Sequence, residues 1–395
     1  MSDSVPFGSL LAKIIDNRGK TCPTSEDGIP LIATNCIKNE HLYPVYEKVR
    51  YVSQEIYDTW FRGHPEPGDL IFVLKGTPGR VNWVNDPVDF CIAQDMVALR
   101  VDESKVDPKY LFAVLRSSQI QQEIEGLHVG SLIPHFKKSD FDDLQIPLVE
   151  QKLQKYIGDT YFNLSLKIDL LHRQNKTLEA MAETLFRQWF IEEAKEDWEY
   201  VELGSVVETS SGGTPSRKEM SYYENGSIHW VKSKELNGSF ITETEEMITD
   251  EAVKKSSAKL LPAYSTLIAM YGATVGEYAL ITKTMTCNQA VCALKENEAY
   301  PYTFIFMYVK NQKDELINQA VGSAQQNISQ ILIKKLPIPT CTARINEYHQ
   351  LVIPWFKKMQ LNVEQIQILE KLRDTLLPKL MSGEVRVQYQ TEEVA

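Results

Sequence analysis

The sequence contains one pattern twice, about 190 residues apart, and this duplication limits the possible folds more than any other feature. Near the end of each half, a Gly-Ser pair leads to a Leu-x-Ile-Pro segment. The first copy is 130–147 and the second is 322–339, an offset of 192 positions at both ends. Upstream, 93–99 corresponds to 288–294. Repeats in solenoid proteins are roughly 20–50 residues long, so this much longer period predicts a duplicated domain.

Each half has the composition of a mixed domain that is rich in strands. Tyr110–Glu125 and Thr303–Ala320 are predicted to be helical. Elsewhere, short runs of β-branched and aromatic residues alternate with Gly, Pro, Asn and Asp, which is typical of strands joined by turns. The predicted strands include Ile29–Ala33, Asp69–Leu74, Val97–Val101, Ile228–Val231 and Tyr264–Met270.

A long heptad pattern follows each mixed half. From Gln151 to Phe190 the chain has no proline, and a leucine recurs at every seventh position. In the second copy, Pro354 and Pro378 are predicted to bracket the helix, and Gly383 is its predicted stop. A heptad repeat of this length predicts a coiled coil. Its predicted core residues are Leu164, Leu171, Leu178, Leu185, Met359, Ile366, Leu369 and Leu376.

The two helices are predicted to pair as one antiparallel coiled coil. A helix of ~35 residues is ~50 Å long, so the pair would act as a rigid spacer. Asn175 and Asn362 occupy core positions of the heptads. A buried asparagine there would fix the register at a cost in stability; the alternative, that both amides face solvent near a frayed section, stays open.

The predicted fold class is α+β: two similar strand-rich domains separated by two long antiparallel coiled-coil helices. The first mixed domain is predicted to span 1–148 and the second 197–340. The helical segments 149–196 and 341–383 follow them, and 384–395 forms a tail.

Composition and charge describe a globular chain with no obvious nucleic-acid-binding tail. The chain is 43% hydrophobic and 24% charged, and its net charge is −11. An acidic balance argues against a free-standing nucleic-acid binder, although a basic face can coexist with acidic helices elsewhere. The six cysteines form no Cys-x-x-Cys pair, which favours reduced thiols in the cytoplasm. No apolar run approaches a membrane span, and the first residues do not resemble a signal peptide.

Catalytic motifs are absent from the sequence. Gly19-Lys20-Thr21 resembles the end of a phosphate-binding loop, but that motif requires glycine five residues before Gly19 and the chain has Ile14 there. No Gly-x-Gly-x-x-Gly follows a predicted strand, and no His-Glu-x-x-His occurs. We therefore expect no catalytic residues, no metal ligands and no cofactor bound by this chain.

Four aligned pairs of polar loops offer binding chemistry instead. They are polar in both copies but differ in residue identity, which suggests two binding sites built on one plan with different targets. Hydroxyls, amides and cations at loop tips suit contacts with phosphates and base edges, whereas plain solvated turns remain the alternative. The candidate DNA contacts of the first copy are Arg18, Lys20, Thr34, Asn35, Lys38, Lys75, Thr77, Arg80, His135, Lys137 and Lys138. Those of the second copy are Thr214, Ser216, Arg217, Lys218, Lys232, Ser233, Lys234, Tyr271, Thr274, Gln325, Gln326, Asn327 and Ser329.

Several segments resemble the specificity subunit of type I restriction-modification systems, and the resemblance covers nearly the whole chain. They are Leu203–Ser216 with its Ser-Gly-Gly-Thr-Pro, Asn327–Ser329 before Leu336–Pro339, the helix end Leu185–Phe190, and Leu372–Glu384. The first copy departs from the family pattern, because it lacks Ser-Gly-Gly-Thr-Pro and has Ile133-Pro134-His135 in place of Gln-Asn-Ile-Ser.

The resemblance implies two target-recognition domains, each reading one half of a bipartite, asymmetric site on double-stranded DNA. It also implies that the helices set the gap and dock two methyltransferase subunits, which recruit motor–nuclease subunits. S-adenosylmethionine, ATP and Mg would then be bound by those partners, and catalysis would belong to them. Two alternatives are a coiled-coil scaffold without DNA readout and a self-contained DNA-modifying enzyme.

Overall fold

The computed structural model describes residues 3–17, 20–127, 134–320 and 327–385. The chain forms two compact units. The first unit consists of Met1–Leu171 and Ile366–Ala395, and the second consists of His172–Gln365. Each unit therefore combines one of the predicted mixed domains with parts of two long helices.

The first unit holds nine strands and the start of the first long helix among its described residues. Its strands are β1 (Asp3–Pro6), β2 (Leu11–Asp16), β3 (Ile29–Ile32), β4 (Arg50–Val52), β5 (Leu70–Val73), β6 (Val81–Trp83), β7 (Cys91–Ile92), β8 (Met96–Val101) and β9 (Gln145–Leu148). Its helices are α1 (Gln54–Trp60), α2 (Pro108–Leu115), α3 (Ser118–Gly126) and the first part of α4 (Gln151–Arg187).

The second unit repeats this composition. Its strands are β10 (Tyr200–Glu202), β11 (Thr209–Ser211), β12 (Ile228–Val231), β13 (Phe240–Ile241), β14 (Met247–Ile248), β15 (Thr266–Ala269), β16 (Tyr278–Ile281), β17 (Thr286–Cys287), β18 (Val291–Leu294) and β19 (Pro337–Pro339). Its helices are α5 (Leu203–Val206), α6 (Asp250–Lys255), α7 (Tyr302–Ala320), α8 (Gln330–Lys334) and most of α9 (Thr342–Met381).

The sheets of the two units match except for one additional edge strand, β13, in the second, and this match confirms the duplication predicted from the sequence. The main sheet has the order β2-β8-β5-β6 in the first unit and β11-β18-β15-β16-β13 in the second. A three-stranded sheet accompanies it, β4-β3-β7 and β14-β12-β17 respectively, with one antiparallel and one parallel pairing in each. The pairs β1-β9 and β10-β19 bring the ends of each mixed domain together.

The central strand of each main sheet is buried on both faces, which explains its unbroken apolar sequence. In β5, Leu70 and Phe72 pack towards α2 and α3, whereas Ile71 and Val73 pack towards the three-stranded sheet. The second unit has the same layers: Ile268 of β15 joins the cluster that contains α7, and its neighbours join the cluster of β12 and β17. Both units are thus α+β sandwiches of helices, main sheet and small sheet.

The predicted helix over Tyr110–Glu125 is two helices in the structure. α2 ends at Leu115, and Ser117 caps α3 by accepting a hydrogen bond from the Ile120 amide at 3.4 Å. A serine inside a helix competes for backbone hydrogen bonds, so here it starts a second helix.

The long helices pack against each other in antiparallel order within each unit. In the first unit, Ile168 and Leu171 of α4 form a cluster with Ile366 and Leu369 of α9. In the second unit, the Tyr348 hydroxyl of α9 donates to the Ala182 carbonyl of α4 at 2.9 Å. Of the predicted coiled-coil residues, Leu171, Met359 and Ile366 are buried, and the other five are half-buried.

The prediction that Pro354 and Pro378 bracket the second helix is wrong. α9 runs from Thr342 to Met381 and contains both prolines, whose rings are exposed. A proline inside a helix costs about 3 kcal/mol, so packing against α4 must outweigh that loss. The helix does end beside Gly383, which adopts φ 76°, as a left-handed helix stop requires.

Candidate nucleic-acid interface

The same backbone framework presents the predicted loops in both units. In the first unit, Lys75 pairs with His135 in a β-bridge after β5, and the Phe136 amide donates to the Leu74 carbonyl at 2.7 Å. In the second unit, Tyr271 pairs with Asn327 after β15, and the Ile328 amide donates to the Met270 carbonyl at 2.9 Å. Two of the four predicted loop pairs therefore meet at the end of the central strand in each copy.

The Ser-Gly-Gly-Thr-Pro loop of the second unit depends on its two glycines for close backbone packing. A Cβ on Gly212 would lie 2.1 Å from the Asn288 carbonyl oxygen, and one on Gly213 would lie 2.3 Å from the Ala258 amide nitrogen. The Trp230 indole nitrogen donates to the Gly213 carbonyl at 3.0 Å. The loop is thereby fixed against β12 and β17, with the exposed segment Ser216–Lys218 directly after it.

Arg217 is held in one orientation by an acid and two aromatic rings. Its Nη1 donates to Glu246 Oε2 at 2.6 Å, and its guanidinium lies 4.2 Å from the ring centroid of Tyr223 and 5.0 Å from that of Trp230. Hydrogen bonds from Arg217 and then Lys232 lower the pKa of Glu246 to about 2. Glu246 is therefore ionised at neutral pH, and the half-exposed arginine stays charged and preorganised.

The two lysines after β12 share this acidic cluster. Lys232 pairs with Glu246 at 2.7 Å and with Glu245 at 2.9 Å, and only 15% of its side chain is exposed. Lys234, which is 61% exposed, pairs with Glu245 at 2.7 Å. Lys232 is thus chiefly an anchor of the loop, whereas Lys234 presents its ammonium to solvent beside Glu245.

In the first unit, the candidate cations pair with acidic residues in a different arrangement. Lys38 pairs with Glu47 at 2.5 Å, the neighbouring Asn35 amide donates to the Glu47 carbonyl at 2.6 Å, and Lys138 pairs with Asp16. Arg80 reaches the Ile37 carbonyl at 3.4 Å, which joins two of the predicted loops. The exposed candidates here are Lys20, Asn35, His135, Lys137 and Lys138, and the half-buried ones are Thr34, Lys38, Lys75, Thr77 and Arg80.

Two predicted contacts have structural roles. Ser329 caps α8 by accepting a hydrogen bond from the Leu332 amide at 3.1 Å, and the Thr214 hydroxyl bonds to Gln289. Arg18, Gln325 and Gln326 lie outside the described residues. Of the other candidates in the second unit, Ser216, Lys218, Tyr271 and Asn327 are exposed, and Ser233 and Thr274 are half-buried.

Glu246, Tyr223 and Gln330 belong to the candidate interface, and the sequence analysis missed them. Gln330 accepts from the Ser211 hydroxyl and donates to the Thr209 hydroxyl, both at 2.8 Å, so it links α8 to β11. No local motif marks these residues, because their partners lie 6 to 121 positions away. The acidic run Glu243–Glu246 opposite the cations was the only available signal.

No group of three or more His, Cys, Asp or Glu side chains in the described residues is placed to hold a metal ion. None of the helices within the described part of the chain is long and apolar enough to cross a membrane.

A family model decides the identity of this duplicated fold. The model for the type I restriction modification DNA specificity domain matches residues 13–180 and again 195–350, one match for each copy of the repeat. The chain belongs to this family. It is therefore the subunit that gives a type I restriction-modification system its DNA sequence specificity, a recognition subunit rather than a catalytic one.

Individual relatives agree with this assignment of the specificity subunit. The type I restriction enzyme MjaIX specificity subunit of Methanocaldococcus jannaschii is 26% identical over 73% of this chain and 71% of its own length. The EcoR124I/EcoR124II specificity subunit of Escherichia coli is 31% identical over 39% of each chain. The crystal structure of the type I restriction-modification S subunit from M. genitalium has a TM-score of 0.58 at 17% identity and covers 96% of both chains, so it shares the fold.

Proposed function

We propose that the two mixed domains, 1–148 and 197–340, are target-recognition domains that each read one half of a bipartite, asymmetric DNA site. The observation that carries this proposal is the repeated loop framework. Lys75 and His135 occupy the same bridge in one unit as Tyr271 and Asn327 in the other. One backbone scaffold with different side chains at its tips is the arrangement expected for two readers of different sequences.

The helical segments 149–196 and 341–383 serve as the spacer that sets the gap between the half-sites. They also dock two methyltransferase subunits, which in turn recruit motor–nuclease subunits. Large exposed apolar side chains on the long helices support docking, since exposed apolar surface marks interaction sites. In the first unit they are Tyr156, Leu170, Ile368 and Leu372, and in the second Met181, Leu351 and Leu361.

The catalytic cofactors belong to the partners in this proposal. S-adenosylmethionine would be bound by the methyltransferase, which flips the target adenine, and ATP and Mg by the motor–nuclease. The specificity subunit works in the cytoplasm, where the DNA is. Its net charge of −11 is compatible with DNA binding, because the partner subunits share the neutralisation of phosphates.

A selection experiment tests the bipartite readout directly. The specificity subunit, assembled with its methyltransferase, is incubated with random-sequence duplexes, and the bound fraction is sequenced over several rounds. We expect enrichment of two short defined blocks separated by a gap of fixed length. A single contiguous block would contradict two independent readers, and no enrichment would contradict DNA readout by this complex.

A further inference from the structure

The first unit contains a cavity of about 800 Å³ with several charged side chains in its wall, and none of the candidate DNA contacts lines it. Its walls are the Asn39–Glu40 loop, the junction of α2 and α3, Tyr161 of α4, and the last turns of α9. Nothing in the DNA-reading role requires a cavity here, so the groups in its wall need an explanation of their own.

Arg116 places an unsatisfied cationic donor in this cavity. The residue is only 9% exposed, and its Nε and Nη2 donate to the Val81 carbonyl at 2.9 and 2.5 Å. Its Nη2 also donates to the His41 carbonyl at 2.5 Å, but its buried Nη1 has no partner. Burial lowers the pKa of Arg116 to about 10, so the guanidinium is still charged at neutral pH. A buried charged donor without an acceptor is costly.

Arg373 places a second such donor in the same wall. It is 7% exposed, and its Nε and Nη2 donate to the Asp374 carboxylate at 2.8 and 3.4 Å. Its Nη1 is buried without a partner, like that of Arg116. The Asp374 carboxylate occupies Nε and Nη2 of Arg373, so the Nη1 groups of both arginines still have no acceptor in this wall.

The start of α3 adds backbone donors to this wall. Ser118 and Gln119, the first two residues of the nine-residue helix, line the cavity. First-turn amides have no partner inside a helix, and the helix dipole favours negative charge at this end. Two guanidiniums and one helix start therefore favour the same kind of guest, an oxyanion.

The remaining walls restrict the size and charge of that oxyanion. Glu40, Glu370 and Asp374 also line the cavity, so a polyanion such as a triphosphate or a DNA backbone would be repelled. Leu377 and Met381 supply apolar surface. The volume exceeds that of a bare carboxylate and is that of a small-molecule pocket.

We infer that this cavity binds a small organic molecule with a single carboxylate. The carboxylate oxygens accept hydrogen bonds from Nη1 of Arg116 and of Arg373, and the apolar body packs on Leu377 and Met381. Bound there, the ligand joins α3 of the recognition domain to α9 of the helical segment. This site is independent of the DNA-reading loops.

Isothermal titration of the full-length chain with 4-methylpentanoate tests the inference, with 4-methylpentanamide as the matched uncharged probe. We expect saturable binding of the acid and at least about tenfold weaker binding of the amide, since a charge-assisted hydrogen bond is lost. Equal binding of the two probes, or no binding of the acid, would overturn the proposal. Tighter binding of inorganic phosphate than of the acid would overturn the carboxylate assignment.

Two substitutions at adjacent positions should change the affinity for 4-methylpentanoate in opposite directions. Arg373→Gln should weaken binding of 4-methylpentanoate about tenfold or more, because it removes one of the two cations. Asp374→Asn should strengthen binding, because it removes a negative charge in the cavity wall that repels the carboxylate of the ligand. A general loss of structure would weaken binding in both variants, and thermal unfolding of each identifies that case. Affinity unchanged by both substitutions, or lowered by Asp374→Asn in a folded chain, would refute the site.

Discussion

Arg217 shows how a single side chain in the second unit is held in place for the DNA contact that we propose for it. Tyr223 and Trp230 lie beneath the guanidinium, and Glu246 fixes one of its edges. The side chain is therefore already ordered in the free protein, so DNA binding loses less conformational entropy. A guanidinium held in this way suits two-point recognition of guanine O6 and N7.

Replacement of Arg217 by alanine tests this role. We expect Arg217→Ala to weaken binding of the assembled complex to its target duplex by about 1–3 kcal/mol, with relaxed specificity at one base pair. Fluorescence anisotropy titrations at fixed salt measure the effect. Lys255→Ala is the matched control, since Lys255 is an exposed cation of the same unit paired with Glu251 on α6. Equal DNA affinity of the wild type and Arg217→Ala would show that Arg217 does not contribute to DNA binding.

Gly213 tests whether the shape of its loop matters as much as its charges. A methyl group at Gly213 would overlap the Ala258 amide and the Ser257 carbonyl group, neither of which can move without shifting the chain. We expect Gly213→Ala to lower the free energy of unfolding by about 1–3 kcal/mol and to weaken DNA binding. Chemical denaturation and the same anisotropy titration measure both quantities.

The control for Gly213 is Gly126→Ala. A Cβ at Gly126 meets nothing within 4 Å, so this change should alter stability by no more than about 0.5 kcal/mol. Equal effects of the two substitutions would mean that backbone flexibility, and not close packing, explains the glycine in the loop.

At the scale of elements, the sequence predicted the long helices well, and for these helices the structure overturns only the prediction that two prolines bracket α9. The heptad leucines identified α4 and α9, because a seven-residue period is a local signal. Pro354 and Pro378 were expected to bracket the second helix, but α9 continues through both, and both are exposed. Packing against α4 is a long-range effect that local proline rules do not include.

The structure also decides between the two alternatives for Asn175 and Asn362, a buried pair at the heptad core or amides that face solvent. Asn362 is fully buried, and its amide donates to Gln174 at 2.8 Å and to Asn175 at 2.7 Å. Asn175 in turn donates to the Met359 carbonyl at 3.3 Å. Such a buried polar pair fits only one register of the helices, because any slip leaves the amides unpaired.

Adjacent leucines on α4 separate helix pairing from partner docking. Leu171 is 3% exposed in the cluster with Ile366, whereas Leu170 is 50% exposed. We expect Leu171→Asp to lower the free energy of unfolding by about 3 kcal/mol, because it buries an unpaired charge. Leu170→Asp should change stability by at most about 0.5 kcal/mol, yet weaken assembly with the methyltransferase.

Denaturant unfolding and size-exclusion chromatography with the methyltransferase measure these two effects. Equal loss of stability in the two variants would contradict the observed burial. Normal assembly of Leu170→Asp with the methyltransferase would show that Leu170 is not part of the proposed docking surface.

At the scale of the whole molecule, the duplication was the most predictable feature and the site was the least. The 192-residue offset revealed the two copies, and the sheets of the two units confirm it, with β13 as one additional strand in the second unit. The loops could be located from the sequence because polar residues follow buried strands there. The partners of individual side chains could not, since contacts such as Arg217 with Glu246 depend on how distant segments pack.

Independent recognition by the two domains predicts modular exchange. Replacing 197–340 by the corresponding domain of another specificity subunit should change one half of the recognised motif and leave the other half and the gap unchanged. Sequencing of methylated bases in cells that carry the hybrid measures this. A change in both halves would mean that the domains do not read DNA independently.

A genome-wide map of methylated adenines in cells with and without this chain, with its methyltransferase expressed in both, tests whether the chain selects the modified sequence. We expect a gapped, two-part methylated motif that is present with the chain and disappears without it. Methylation of the same motif in the absence of the chain would contradict the claim that this subunit determines which DNA sequence is modified.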